Sequence, residues 1–125
     1  MIVDDVLSMM TMLQEYLIIQ GATVMPFDAP LQALAAFEKN PDAIDLVITD
    51  ETMPDLSGMD LAKEMLTIRP NLPIILCTGY SLHATPESVS ASGIAAFFQK
   101  PVKMRDLLQK ANALLAERDH EHKSD

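Results

Sequence analysis

Four short apolar stretches of this sequence each end in a polar side chain, and the types of those side chains point to one kind of chemistry. Met1–Val3 runs into Asp4 and Asp5, Leu46–Thr49 into Asp50, Ile74–Cys77 into Thr78, and Ala95–Gln99 into Lys100. Three carboxylates brought together repel one another unless something cationic neutralises them. Oxygen-only ligands favour a hard ion, and Mg²⁺ keeps several waters beside a few carboxylates. A hydroxyl from Thr78 and an ammonium from Lys100 at the same place would complete a site suited to a phosphoryl group in transfer, whose equatorial oxygens need charge stabilisation.

What must position these residues is legible in the pattern around them. Apolar runs without alternation suit strands buried on both faces, as in a parallel sheet. A fifth such run, Ala22–Phe27, ends at Asp28. Helical stripes lie between the runs: Met10, Leu13 and Leu17; Leu31, Leu34 and Ala35; Leu61, Met65 and Ile68; Leu107, Ala111 and Leu114. Asp28 is the expected N-cap of the second helix, with Pro30 in its first turn. Ser57 with Asp60 reads as a capping box for the third, and Pro70 stops it. The segment Thr85–Ser92, opened by Pro86 and closed by Gly93, is Ser-rich and reads as a short, weakly anchored helix. Strands alternating with helices predict an α/β fold, a (βα)5 three-layer sandwich around a five-stranded parallel sheet with right-handed crossovers. All strand ends then share one rim, and ligands bind where strand order reverses. In the flavodoxin-like order 2-1-3-4-5 that point lies between strands 1 and 3, which end in Asp4-Asp5 and Asp50.

Composition narrows the function classes. The 125 residues carry 9 Lys+Arg against 18 Asp+Glu, a formal net charge of −9, so phosphate-rich partners are repelled and neither nucleic acid nor an anionic membrane is expected as a direct partner. Hydrophobic residues make up 49% and charged residues 22%, a globular balance that argues against disorder. The apolar runs are too short to span a bilayer, and no secretory signal is visible, so a cytoplasmic location is expected. A single cysteine, Cys77, excludes an internal disulfide and a multi-cysteine zinc site. One domain over residues 1–118 is expected, followed by a polar tail, 119–125, that frays.

In its motifs the sequence resembles the receiver domains of two-component response regulators: Asp4-Asp5, Asp50-Glu-Thr-Met-Pro-Asp-Leu-Ser-Gly58, Thr78-Gly79 and Lys100-Pro101, in that order over nearly the whole chain. The resemblance implies that Asp50 is the phosphoacceptor for a phosphoryl group from a histidine kinase or a histidine phosphotransfer protein. It implies that Asp4, Asp5, Asp50 and the Thr52 main-chain carbonyl hold Mg²⁺, that Thr78 and Lys100 contact the acyl phosphate, and that Thr78 and Phe97 form the switch. Gly79 would leave room for the donor, and the peptide before Pro101 would be cis. Certain wording, including Cys77–Ser81, resembles receivers of hybrid sensor kinases, and a homodimer is a further allowed partner. Three positions depart from the family's pattern: the first strand is short, Val6 stands where Glu is frequent, and Phe97 lacks the hydroxyl of the commoner Tyr.

Blander readings stand beside these. Asp4-Asp5 alone could be a helix N-terminus, Asp50 an ordinary strand end, Thr78 a locally bonded hydroxyl and Lys100 a solvated lysine. Cys77 is expected in the core, and His83, His120 and His122 on the surface. Leu7, Met9, Met10, Met12, Leu13, Leu17, Ile18 and Ile19 fill more of the first helix than one core stripe needs. Either that helix has a wide buried face or part of it is a docking surface, which in the family meets the kinase or phosphotransfer bundle. As a whole, two alternatives remain: a receiver-like docking module that is never phosphorylated, and a Mg²⁺-dependent phosphohydrolase with Asp50 as nucleophile. The second lacks support at Thr52, where such enzymes carry an acidic residue. No output region follows the last helix, so either a stand-alone receiver or one from a longer regulator is expected.

Overall fold

A computed structural model of the chain describes residues 1–4, 7–79 and 85–123; for residues 7–10 and 118–123 the backbone alone is described. In chain order the elements are β1 (Ile2–Val3), α1 (Leu7–Ile19), β2 (Pro26–Phe27), α2 (Pro30–Lys39), β3 (Val47–Asp50), α3 (Gly58–Ile68), β4 (Ile74–Thr78), α4 (Pro86–Ala91), β5 (Ala96–Gln99) and α5 (Met104–Lys123). The strands form one parallel sheet in the order β2-β1-β3-β4-β5, the fold that the alternation of patterns predicted.

The period of two along each strand divides the core between the sheet's faces. Val47, Ile74 and Leu76 point to one side, where they meet Ala33 and Phe37 of α2, Leu61, Ala62 and Met65 of α3, and Val89 of α4. Ile48, Ile75 and Cys77 point to the other, against Leu13 and Leu17 of α1 and Leu107, Ala111 and Leu114 of α5. The central strands β3 and β4 are buried at every position, which is why they read as unbroken apolar runs.

Several local expectations need correction. The second helix buries Pro30, Ala33 and Phe37, while Leu31 is 53% exposed and Ala35 is also exposed, so its stripe is rotated from the predicted one. Phe37 offers the larger apolar surface, and orienting it inward sets the rotation. The N-cap is Ala29, with no side-chain cap bond, instead of Asp28. Pro30 at the first helical position fixes its own φ and holds the preceding residue extended, so the boundary is set by the ring. In the third helix Ala62 joins Leu61 and Met65 in the core, and Ile68 is exposed. β2 pairs only over Pro26–Phe27, because β1 offers just Ile2 and Val3 as partners. Finally, α1 has a narrow buried stripe: Met12, Tyr16, Ile18 and Ile19 are all about half exposed or more. The wide buried face is therefore excluded for these positions.

The short helix expected at Thr85–Ser92 is present as α4. Thr85 and Ser88 cap α4 reciprocally, each side-chain oxygen accepting the other's backbone N–H at 3.1 and 2.9 Å, and Val89 is its buried anchor. Gly93 ends the segment at φ 91°, a conformation that glycine adopts freely. Below the sheet, Arg69 at the end of α3 donates from Nη1 to the carbonyls of Pro41 (2.6 Å) and Ile44, tying down the 3-10 turn Pro41–Ala43 that precedes β3. α5 continues as helix to Lys123, through the stretch expected to fray. Among the described residues no helix is long and apolar enough to cross a membrane.

The rotated stripe of α2 has a measurable consequence. Phe37→Ala should lower unfolding stability in urea by about 3–5 kcal/mol, whereas Leu31→Ala should change it by less than about 0.5 kcal/mol. Equal losses would restore the predicted register.

Candidate functional site

Parallel pairing carries the ends of β1, β3 and β4 to one rim. Val3 lies beside Thr49, so the next step along β1 sets Asp4 next to Asp50, and Asp50 in turn lies beside Cys77, one residue before Thr78. Asp4 is 7% exposed, Asp50 5% and Thr78 1%. From β5's end Lys100 reaches across, its Nζ 2.9 Å from Asp50 Oδ1. Its backbone N–H donates to the Thr78 carbonyl at 2.6 Å, fixing the two strand ends together. The Lys100–Pro101 peptide is cis.

Four of the predicted residues thus meet at one place: Asp4, Asp50, Thr78 and Lys100. Asp5 lies outside the described residues, as do Val6, Ser81 and His83. Thr52 sits in the exposed loop after β3, and Phe97 is half-buried on β5 beside Leu76. Among the described residues, a Cβ on Gly79 would meet nothing within 4 Å. The Thr78 hydroxyl donates to the Gly79 carbonyl at 3.4 Å, long for such a bond.

Burial lowers the pKa of Lys100, but the hydrogen bond and charge of Asp50, with the charge of Asp4, outweigh it and raise the pKa overall, so the lysine stays an ammonium. Among the described residues, the Lys100 ammonium pairs with Asp50, and Asp4 is buried beside it. Acidic oxygen donors of this kind suit a hard divalent cation. Among the described residues, three potential ligating side chains do not cluster.

Glu51, next to the acceptor position, is the residue that sequence reasoning passed over. It is 3% exposed, and it organises the loop between β3 and α3. Its backbone carbonyl accepts from Gly58 N–H at 2.9 Å, its Oε1 from Met59 N–H at 2.8 Å, and Ser57 Oγ accepts from Asp60 N–H at 3.1 Å. The first amides of α3, which a helix cannot satisfy internally, are thereby all bonded. Nothing in hydropathy or spacing marks a glutamate that stands seven residues before the helix start. Within the loop, Leu56 N–H turns back onto the Pro54 carbonyl at 2.8 Å, with Asp55 at φ 72°. Gly58 completes the fit: a Cβ there would overlap the Asp50 carbonyl oxygen and come within 2.7 Å of Leu76 Cδ1.

With the rim described, likeness to other proteins can be placed on it. The family model for the response regulator receiver domain matches residues 1–112. The chain belongs to the response regulator receiver family. The C4-dicarboxylate transport transcriptional regulatory protein DctD of Rhizobium meliloti (strain 1021) is 33% identical over 112 residues, 88% of this chain and 24% of its own length. The transcriptional regulatory protein GlrR of Escherichia coli (strain K12) is 30% identical over 111 residues, covering 87% and 24%. The chain therefore spans about a quarter of the length of these curated relatives. Among solved structures, a response regulator receiver domain protein from Clostridium thermocellum superposes with TM-score 0.86 at 30% identity, covering 94% of each chain. This protein is thus a receiver domain of two-component signal transduction, a signalling domain by family.

Two measurements test the rim's packing and electrostatics. Gly58→Ala should destabilise the receiver by about 1–3 kcal/mol, since backbone at Asp50 must move to admit the methyl. The Cys77 thiol, buried beneath the rim, is pushed from 9.0 up to about 12, chiefly by burial; Lys100 pulls it down, and Asp50 and Asp4 push it up. The folded state therefore holds this proton more tightly than the unfolded state. Its stabilising contribution is full below pH 9 and is lost as pH rises towards 12. Compared with Cys77→Ala, the native protein should lose up to about 1.4 kcal/mol per pH unit across that window. Parallel stability curves would refute a buried neutral thiol.

Proposed function

We propose that Asp50 accepts the phosphoryl group. One carboxylate oxygen attacks the phosphorus of a phosphohistidine on a histidine kinase or histidine phosphotransfer protein; the N–P bond breaks, and the imidazole leaves. The observation that supports this most directly is the 2.9 Å contact between Lys100 and a nearly buried Asp50, beside Asp4 and Thr78 at the switch point of the sheet. The ammonium and a Mg²⁺ held by Asp4, Asp5, Asp50 and the Thr52 carbonyl would offset charge on the phosphoryl oxygens. Bound there, the cation supplies Lewis-acid stabilisation of the transferring group.

Thr78 is the residue that follows the phosphate. Its hydroxyl makes a long bond to the Gly79 carbonyl, and Phe97, half-buried on the neighbouring strand, can fill the space that it leaves. That exchange would bias the surface of α4, β5 and α5 between two arrangements. The exposed Met12, Tyr16, Ile18 and Ile19 of α1 form the surface where a kinase or phosphotransfer bundle would dock. On this reading residues 1–118 are the signalling unit, it acts in the cytoplasm, and it performs no turnover beyond its own phosphorylation and dephosphorylation.

The test is incubation with a small-molecule phosphodonor and Mg²⁺, followed by intact-mass measurement. The native protein should gain one phosphoryl group and Asp50→Asn none; equal labelling of both removes the acceptor assignment. Absence of labelling in both favours a docking module, and steady release of phosphate from a generic phosphoester favours the phosphohydrolase. In thermal melts Mg²⁺ alone should stabilise the native protein, by about 2.7 kcal/mol at a hundred times the dissociation constant. Asp50→Asn should reduce that gain.

A further inference from the structure

We infer that Glu51 is a positioning residue for the metal-binding loop, acting through the reach of its side chain. The inference deepens the reading above and rests on it, since the loop matters to Mg²⁺ only if Thr52 and Asp50 hold the ion.

Glu51 connects three elements at once. Its backbone N–H donates to the Cys77 carbonyl on β4 at 2.9 Å; its carbonyl accepts from Gly58 at 2.9 Å; its carboxylate accepts from Met59 at 2.8 Å. Residues 52–57 therefore leave Glu51 and return to it, forming a loop whose two ends are tied by one residue. Thr52 is the first residue inside that loop, and Asp50 is the residue immediately before the tie.

Ser57 caps α3 at the Asp60 amide, and the Glu51 carboxylate supplies the acceptor for the Met59 amide. What glutamate provides is length. From a strand end it spans to the second amide of the helix, which an aspartate, one methylene shorter, cannot reach from the same backbone. Glutamine has the same reach and an acceptor oxygen, without the charge.

Reach and charge can be separated experimentally. Mg²⁺ affinity is measured by titration calorimetry on the native protein, Glu51→Asp, Glu51→Gln and Glu51→Ala, with amide hydrogen exchange at Met59 followed in each. Outer-shell partners of metal sites typically carry about 10–100-fold in affinity. Glu51→Ala and Glu51→Asp should bind Mg²⁺ about tenfold more weakly and lose protection at Met59, and Glu51→Gln should restore both. Should Glu51→Ala fail to fold, the opposed behaviour of the aspartate and glutamine variants still decides the matter. The proposal is overturned if Glu51→Asp binds as the native protein does while Glu51→Gln does not, because charge would then be the operative property. It is equally overturned if all variants bind alike, which would leave Glu51 as a helix cap only. If the native protein itself binds no Mg²⁺, the underlying assignment of the acidic rim falls, and this inference falls with it.

Discussion

Two carboxylates held almost out of water beside an ammonium set the terms for everything else at the rim. Asp4 and Asp50 are desolvated by the sheet that carries them, and Lys100 pairs with Asp50. Buried like charges are tolerated where opposite charge lies close by. The parallel sheet makes this arrangement durable. Its central strands are apolar throughout and pack helices on both faces, so strain at their polar ends is borne by a core that does not depend on the rim.

How much of this was legible in the sequence depends on the kind of signal. β3 and β4 were plain because strands buried on both faces are almost wholly apolar until they end, and each ends in a polar side chain, Asp50 or Thr78. α5 was plain because Leu107, Ala111 and Leu114 lie at helical spacing with polar neighbours, and all three are buried. α2 was ambiguous: Leu31, Leu34, Ala35 and Phe37 together cover too much of the circumference for periodicity to choose a face. Only packing against the sheet selected Ala33 and Phe37. β2 was overextended because β-propensity says where a strand can form, while pairing requires a neighbour of equal length.

The site was legible to a different depth. Asp4, Asp50, Thr78 and Lys100 could be placed together because a parallel sheet with right-handed crossovers leaves no other rim for them. Glu51 could not be, since a glutamate after a strand looks the same whether it is solvated or folded back on a helix start. Its role is a property of the loop's shape, and that shape arises from Asp55 at positive φ and from Gly58 packed on the Asp50 carbonyl. Neither bears on hydropathy, which is the quantity that sequence patterns report best.

The Arg69 bridge at the opposite end of the sheet bears on the same carboxylate from a distance. By binding the carbonyls of Pro41 and Ile44, the guanidinium holds the chain three residues before it enters β3 at Val47. In a strand a slip of one residue exchanges the two faces. A slip of that size would bring Thr49 or Glu51 to the place of Asp50. The pairing of β3 with β1 and β4 holds the count, and Arg69 steadies the turn from which that count begins.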